Sequence, residues 1–372
     1  MSVECDKVGG VNLAQGVCDT EVPLPVRRAA IEAIEGGYNS YTRLDGIGEL
    51  RHAIARKMRE YNHVNVDAER EVVVAVGSTG AFYSAGMALL DPGDEVIIFE
   101  PYYGYHVNTL EAMRCLPKYI RMRPPDWSFT REALEKAITP KTRAIVVNSP
   151  ANPSGKVFSR TEMQWIAECA AKHDLFIFTD EIYEYFLYDG REHISPASLP
   201  GMRERTITIS GFSKTFSVTG WRIGYAVCAA KWAGAIGYFH DLYYICAPSP
   251  LQHGVRAGLE GLTADFYRAL AEEYRGKRDL ICNTLREAGL TPSIPQGSYY
   301  VLADASGLPG KSSKDKAMYL LRETGVASVP GGSFYHDDAG ENLLRFCFAK
   351  TDEQLQEACR RLAKLRVSAV TA

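Results

Sequence analysis

The chain has 372 residues, 46% hydrophobic and 23% charged, with a formal charge of −3 at pH 7. That length exceeds one ordinary core and predicts a larger and a smaller domain of a globular enzyme. The net charge offers no basic field for nucleic acid or an anionic membrane, no apolar run reaches bilayer length, and no signal-peptide pattern opens the chain. Nine cysteines are scattered without C-x-x-C spacing, and eight histidines show no H-x-x-x-H pair. Reduced thiols, a cytoplasmic location and no metal site are the expectations.

In chain order, Pro23 and Pro25 start a helix over Val26–Glu35 that Gly36 and Gly37 close. From Glu71 the chain reads strand VVVAV, then Gly77-Ser78-Thr79-Gly80, then helix AFYSAGMALL. Small residues at a strand-to-helix turn leave backbone N–H groups free for a phosphate, although many α/β turns share that look. Glu95–Phe99 is a continuous strand followed by Pro101-Tyr102-Tyr103. A helix over Thr130–Ala137 leads to strand Ala144–Asn148 and the loop SPANPSG, whose prolines pin the backbone around Asn152. Helix Thr161–His173 precedes strand LFIFT and Asp180-Glu181-Ile182-Tyr183. A carboxylate there sits at the ligand edge of an open sheet or caps a helix. This strand–helix alternation between Glu71 and Ser210 predicts an α/β fold with a doubly wound parallel sheet.

The stretch TITISGFSKTFSVTGWRIGYAVC, Thr206–Cys228, holds a β-branched strand, a small-residue turn, Lys214 and, eight positions on, Arg222. A lysine at a strand mouth beside hydroxyls and an arginine suits carbonyl chemistry near a phosphate, and so points to pyridoxal phosphate. A surface lysine is the alternative on this stretch alone. Phe266–Ala288 is a long amphipathic helix ended by Gly289, and PQGSYYVLAD reads as a strand. Leu343–Ala349 is an apolar alternating strand holding Arg345, which needs an anion there, with a buried ion pair as the structural reading. The last helix spans Asp352–Leu365.

The pattern S-x-x-S-K-x-x-x-x-x-G-W-R-x-G, together with the SPANPSG loop and the Asp-x-x-Tyr spacing upstream, resembles the class I/II aminotransferases. These are fold type I pyridoxal-phosphate enzymes, and the resemblance covers nearly the whole chain. It implies a mostly parallel seven-stranded sheet flanked by helices in a large domain (38–262). It also implies a smaller α+β domain from both chain ends (1–37 and 263–372), and a homodimer. Lys214 would carry the cofactor and act as general base, and Asp180 would hold the ring nitrogen protonated. Asn152 and Tyr183 would bond the phenolic oxygen, and Tyr103, with Tyr102 as second choice, would cover the ring. Ser78, Thr79, Ser213 and Arg222 would bind phosphate, joined by Tyr41 reaching from the neighbouring subunit. Gly16, Asn152 and Arg345 would contact the substrate, with Arg345 as the α-carboxylate clamp. The segment IGYFHDLYYICAPSPLQHG would line the dimer face, and the N-terminal arm is expected to be short.

One position departs from the family: a phosphate-binding serine three before the lysine is Gly211 here, with Ser210 or Ser213 as substitutes. The expected reaction is ping-pong transfer of an α-amino group to a 2-oxo acid. Neutral or aromatic donors are favoured by Tyr38, Tyr105, Tyr299 and Tyr335, with Arg43 the one arginine arguable for an acidic side chain. The same constellation also serves carbon–sulfur β-lyases, and more remotely a non-catalytic sensor domain.

Overall fold

The computed structural model describes residues 1–365. The chain opens with α1 (Ser2–Lys7), β1 (Val11–Asn12), α2 (Leu24–Glu35) and α3 (Gly48–Glu60). Strands and helices then alternate: β2 (Val72–Val76), α4 (Gly77–Leu89), β3 (Glu95–Glu100), α5 (Gly104–Ala112), β4 (Leu116–Arg121) and α6 (Arg131–Ala137). They continue with β5 (Thr142–Asn148), α7 (Arg160–His173), β6 (Phe176–Asp180), β7 (Thr206–Gly211) and β8 (Ile223–Val227). These last seven strands form one sheet in the order β2-β8-β7-β6-β5-β3-β4. Pairing is parallel from β4 through β7, and β8 runs antiparallel to both β7 and β2. Helices cover both faces, which is why the strands read as unbroken apolar runs. The predicted boundaries hold to within a few residues. At α7 the start is fixed by a capping box between Ser159 and Glu162.

The rest of the chain is α8 (Ala230–Tyr244), α9 (Ser249–Gly261), α10 (Ala264–Glu287), β9 (Thr291–Pro292), β10 (Tyr300–Asp304) and α11 (Ser313–Thr324). After these come β11 (Val326–Ala327), β12 (Val329–Pro330), β13 (Leu343–Cys347) and α12 (Asp352–Leu362). A four-stranded antiparallel sheet has the order β12-β13-β10-β9, and β1 pairs with β11 in parallel. The alternation expected around Arg345 is absent, because β13 is buried on both faces. Leu344, Phe346 and Cys347 pack with Tyr274 and Ile281 of α10 and with Leu355 and Ala358 of α12. The first residues of the chain pack in two places. Val11 pairs with Val326, whereas Val26 and Ala30 of α2 lie against Gly254 of α9.

The departure at Gly211 has a steric cause. A Cβ there would stand 2.9 Å from Gly224 Cα and 3.0 Å from Ile223 O on β8. Gly224 in turn lies against the backbone of Gly77 and Ser78. Two glycines therefore let β7, β8 and the start of α4 come together where the cavity begins. Gly211→Ala should cost about 1–3 kcal/mol of stability, the scale of overpacking in a tight interior. Urea unfolding measures it, and an unchanged midpoint would show that β8 can move aside.

Candidate active site

The carboxyl ends of β5, β6 and β7 and the N-terminus of α4 surround a cavity of about 550 Å³. Ligands bind at this edge of open α/β sheets because loops and helix N-termini converge there. Ser78 and Thr79 come from the first turn of α4, and Tyr103 from the turn before α5. Asn152 follows β5, Asp180 ends β6 and Tyr183 lies three residues on. Ser213, Lys214 and Arg222 come from the β7–β8 connection. Residues spread over some 145 positions of sequence are thus brought to one wall.

The buried Asp180 carboxylate is aimed from two sides. Its Oδ2 lies 3.0 Å from His106 Nε2, and its Oδ1 accepts from the Ile182 N–H at 3.2 Å. Asn152 is held by its N–H, which donates to Asn148 Oδ1 at 2.8 Å, and its own Oδ1 accepts from Arg345 Nη1 at 2.9 Å. Its Nδ2 makes no hydrogen bond to the described residues and remains available as a donor. Among the described residues Lys214 Nζ donates only to Gly16 O, at 3.2 Å, and has no acid partner. Burial therefore holds its amine below the ordinary lysine value. Arg222, with φ 55° in the left-handed region, donates from Nη1 to Thr219 O at 2.9 Å and meets no carboxylate among the described residues.

A neighbouring cavity of about 590 Å³ shares Tyr103, Tyr105, Asn152, Tyr183 and Lys214 with the first and adds Gly16, Tyr300 and Arg345. Arg345 is buried, and its Nη2 donates to Ala14 O at 2.7 Å. Its guanidinium lies 4.4 Å from the Tyr300 ring centroid and 5.1 Å from that of Phe334. Among the described residues no acid pairs with it, and its Nε has no partner. The buried ion pair considered from sequence is thus not what satisfies Arg345. Gly16 is tight against Tyr300 Oη, so a side chain there would collide with it.

Some expected residues lie elsewhere. Tyr41 is exposed and lines a surface cavity with Tyr38 and Arg43, so within its own chain it does not reach Lys214. Arg43 is taken by Asp45 through two hydrogen bonds of 3.0 and 2.8 Å. Tyr102 packs toward Tyr119 rather than lining the Lys214 cavity, which leaves that position to Tyr103. Tyr335 is buried against the Arg121 guanidinium, outside both cavities. Ser210 turns its hydroxyl to Glu184, so of the two substitutes only Ser213 lines the cavity. Sequence reasoning missed His106 and Tyr300, whose Oη lies 3.1 Å from Tyr183 Oη. Their partners are 74 and 117 positions away, a pairing that local spacing cannot show. Glu181, Glu184 and His193 lie within 4.8 Å of one another. Lys57, Asn62, Thr179, Ser195 and Ser210 already donate to these two carboxylates.

A family model described as aminotransferase class I and II matches residues 8–362. The chain belongs to this family. A kynurenine–oxoglutarate transaminase of Dictyostelium discoideum is 37% identical, over 97% of this chain and 92% of its own length. The structure of an N-succinyldiaminopimelate aminotransferase from Mycobacterium tuberculosis matches with a TM-score of 0.95 at 36% identity, covering 98% of this chain and 96% of that one. A methionine aminotransferase of Escherichia coli matches with a TM-score of 0.94 at 30% identity, covering 98% and 95%. This aminotransferase accordingly moves an amino group between amino acids and 2-oxo acids with pyridoxal phosphate as cofactor. The elimination and sensor readings are not favoured by these relatives.

The groups lining the cavity fit that cofactor chemically. A helix N-terminus, hydroxyls and an arginine without an acid partner suit its phosphate. A desolvated lysine amine suits its aldehyde, and a buried carboxylate suits its ring nitrogen. The depressed Lys214 value has a consequence for the cofactor-free protein. The unfolded chain holds a proton on this lysine over a pH range where the folded chain has released it, so this contribution to stability rises with pH. Lys214→Met should therefore stabilise the cofactor-free protein most at neutral pH, with the gain shrinking toward pH about 10. Thermal melts of both proteins across that range test it, and a pH-independent difference would contradict it.

Proposed function

We propose that this aminotransferase uses Lys214 as its cofactor lysine and proton carrier, with Arg345 binding the substrate's α-carboxylate. The observation that carries this reading is the buried Arg345 guanidinium, without an acid partner among the described residues, in a cavity shared with Lys214. When bound, the cofactor supplies an aldehyde that carries the amino group and a ring that accepts the charge left at the α-carbon. Lys214 takes the α-proton at Nζ and returns it on the other side of the reaction, a role that an amine made less basic by burial suits. Asp180, oriented by His106 and the Ile182 N–H, would pair with the ring nitrogen. Asn152 and Tyr183 would donate to the phenolic oxygen, and Tyr103 would cover the ring and exclude water. Ser78, Thr79, Ser213 and Arg222 would hold the phosphate. Gly16, whose carbonyl accepts from Lys214 and from Tyr299 Oη at 3.2 Å, borders the substrate.

Neutral or aromatic donors are the substrates this reading favours. Tyr103, Tyr105 and Tyr300 line the cavity around Arg345, and Arg43, the arginine arguable for an acidic side chain, is occupied by Asp45. A homodimer completes the site, with Tyr41 of the partner subunit at the phosphate. Its support is the exposure of Tyr41 together with Tyr238, Leu242, Tyr243 and Ile245 at α8, an apolar surface that a second copy would cover. The sheet of β2–β8 forms the core of the larger domain (38–262). Both chain ends (1–37 and 263–372) form the smaller one, its last seven positions lying outside the described residues. Cytoplasmic location is supported by nine unpaired cysteines, eight of them buried. Among the described residues no helix is long and apolar enough to cross a membrane.

Arg345→Leu tests the substrate clamp. Because the guanidinium satisfies no acid in the fold, thermal stability and the bound-cofactor spectrum should change little. Reactivity toward amino and oxo acids should fall by roughly 2–5 kcal/mol in transition-state binding, while simple amines are spared. A destabilised protein with an unaltered ratio of amino-acid to amine reactivity would assign Arg345 to structure alone.

A further inference from the structure

A separate cavity of about 470 Å³ opens between α3, the first turns of α10 and the chain at 185–187. It shares no lining residue with the two cavities at Lys214. Three tyrosines form its wall. The rings of Tyr61 and Tyr185 have centroids 4.4 Å apart, and Tyr185 stacks on Tyr267 at 4.2 Å and 27°. Leu259 and Leu262 line it as well. Space of this size with a tiered aromatic wall suits a small flat ring, which gains from offset stacking as well as from leaving water.

The charges at this pocket favour an anion. Lys57 is committed to Glu184, Arg268 pairs with Asp265, and Glu60 pairs with Arg59. Arg56 is exposed and has no acid partner among the described residues. One guanidinium is therefore left unmatched beside the aromatic wall, and guanidinium recognises carboxylate bidentately. We propose that this cavity is a second ligand site, which takes a small flat aromatic carboxylate. It is wired to the catalytic turn. Lys57 donates to Glu184 Oε2, Tyr61 Oη donates to Glu184 O at 2.6 Å, and Ser210 Oγ of β7 donates to Glu184 Oε1 at 3.1 Å. Glu184 directly follows Tyr183, so a ligand pressing on Tyr61 and Lys57 bears on the residues beside the cofactor.

The test uses the holoenzyme inactivated at its catalytic pocket with aminooxyacetate, so that Arg345 cannot account for binding. Equilibrium dialysis with 2-naphthoate should find one saturable site per chain. Arg56→Ala and Tyr267→Ala, both altering partly or fully exposed side chains, should each weaken it at least about tenfold. Leu262→Trp, which fills the cavity without removing a charge, should abolish it. Absence of saturable binding in the blocked enzyme overturns the proposal, as does binding that all three variants leave unchanged. Weakening by Tyr267→Ala and Leu262→Trp but not by Arg56→Ala overturns the assignment of a carboxylate ligand.

Discussion

The cavity at Lys214 depends on a single constraint: cations are held at the sheet's edge and beyond it without the acids that would neutralise them. An unpaired guanidinium or ammonium away from water costs several kcal/mol. Arg345 meets that cost partly through Ala14 O, Asn152 Oδ1 and the faces of Tyr300 and Phe334, yet keeps a bare Nε. Lys214 responds by becoming less basic. Arg222 adopts a left-handed backbone conformation uncommon for its residue type. Each of these is unfavourable in isolation and becomes useful when an anion or an aldehyde arrives, because the groups are already oriented and partly withdrawn from water.

Such an arrangement needs rigid support, and two features supply it. Packing of Gly211 on Gly224, and of Gly224 on the Gly77–Ser78 backbone, fixes β7, β8 and the helix N-terminus relative to one another. Beneath the Asp180–Tyr183 turn, Glu181 and Glu184 are both buried and both accept from Asn62 Nδ2, at 3.2 and 3.0 Å. Lys57 supplies a charge to the pair, and His193 lies 2.9 Å from Glu181 Oε2. This polar network, in which Asn62 Oδ1 and His193 Nδ1 are left without partners among the described residues, ties Glu181 and Glu184 to several elements at once and so steadies the Asp180 carboxylate next to it.

Local chemistry made the framework legible before any coordinates. Unbroken apolar or β-branched runs gave β2, β3, β5, β6 and β7 because these strands are covered on both faces. Lys214, Asp180 and Asn152 were legible as candidates because each follows a strand at its carboxyl end. Three things were not. The β13 strand does not alternate, because helices cover one face and the cavity at Arg345 adjoins the other. α8 shows no clean apolar stripe, since several of its aromatics are exposed. His106 and Tyr300 act through contacts that only the folded topology creates.

The identity of the lysine is the claim on which the whole site rests. Borohydride reduction of the holoenzyme, followed by proteolysis and mass spectrometry of the peptides, reads it directly. The cofactor's mass should appear on the peptide containing Lys214 and on no other. A label on any other lysine would contradict the site described here and with it the roles of every residue around Lys214.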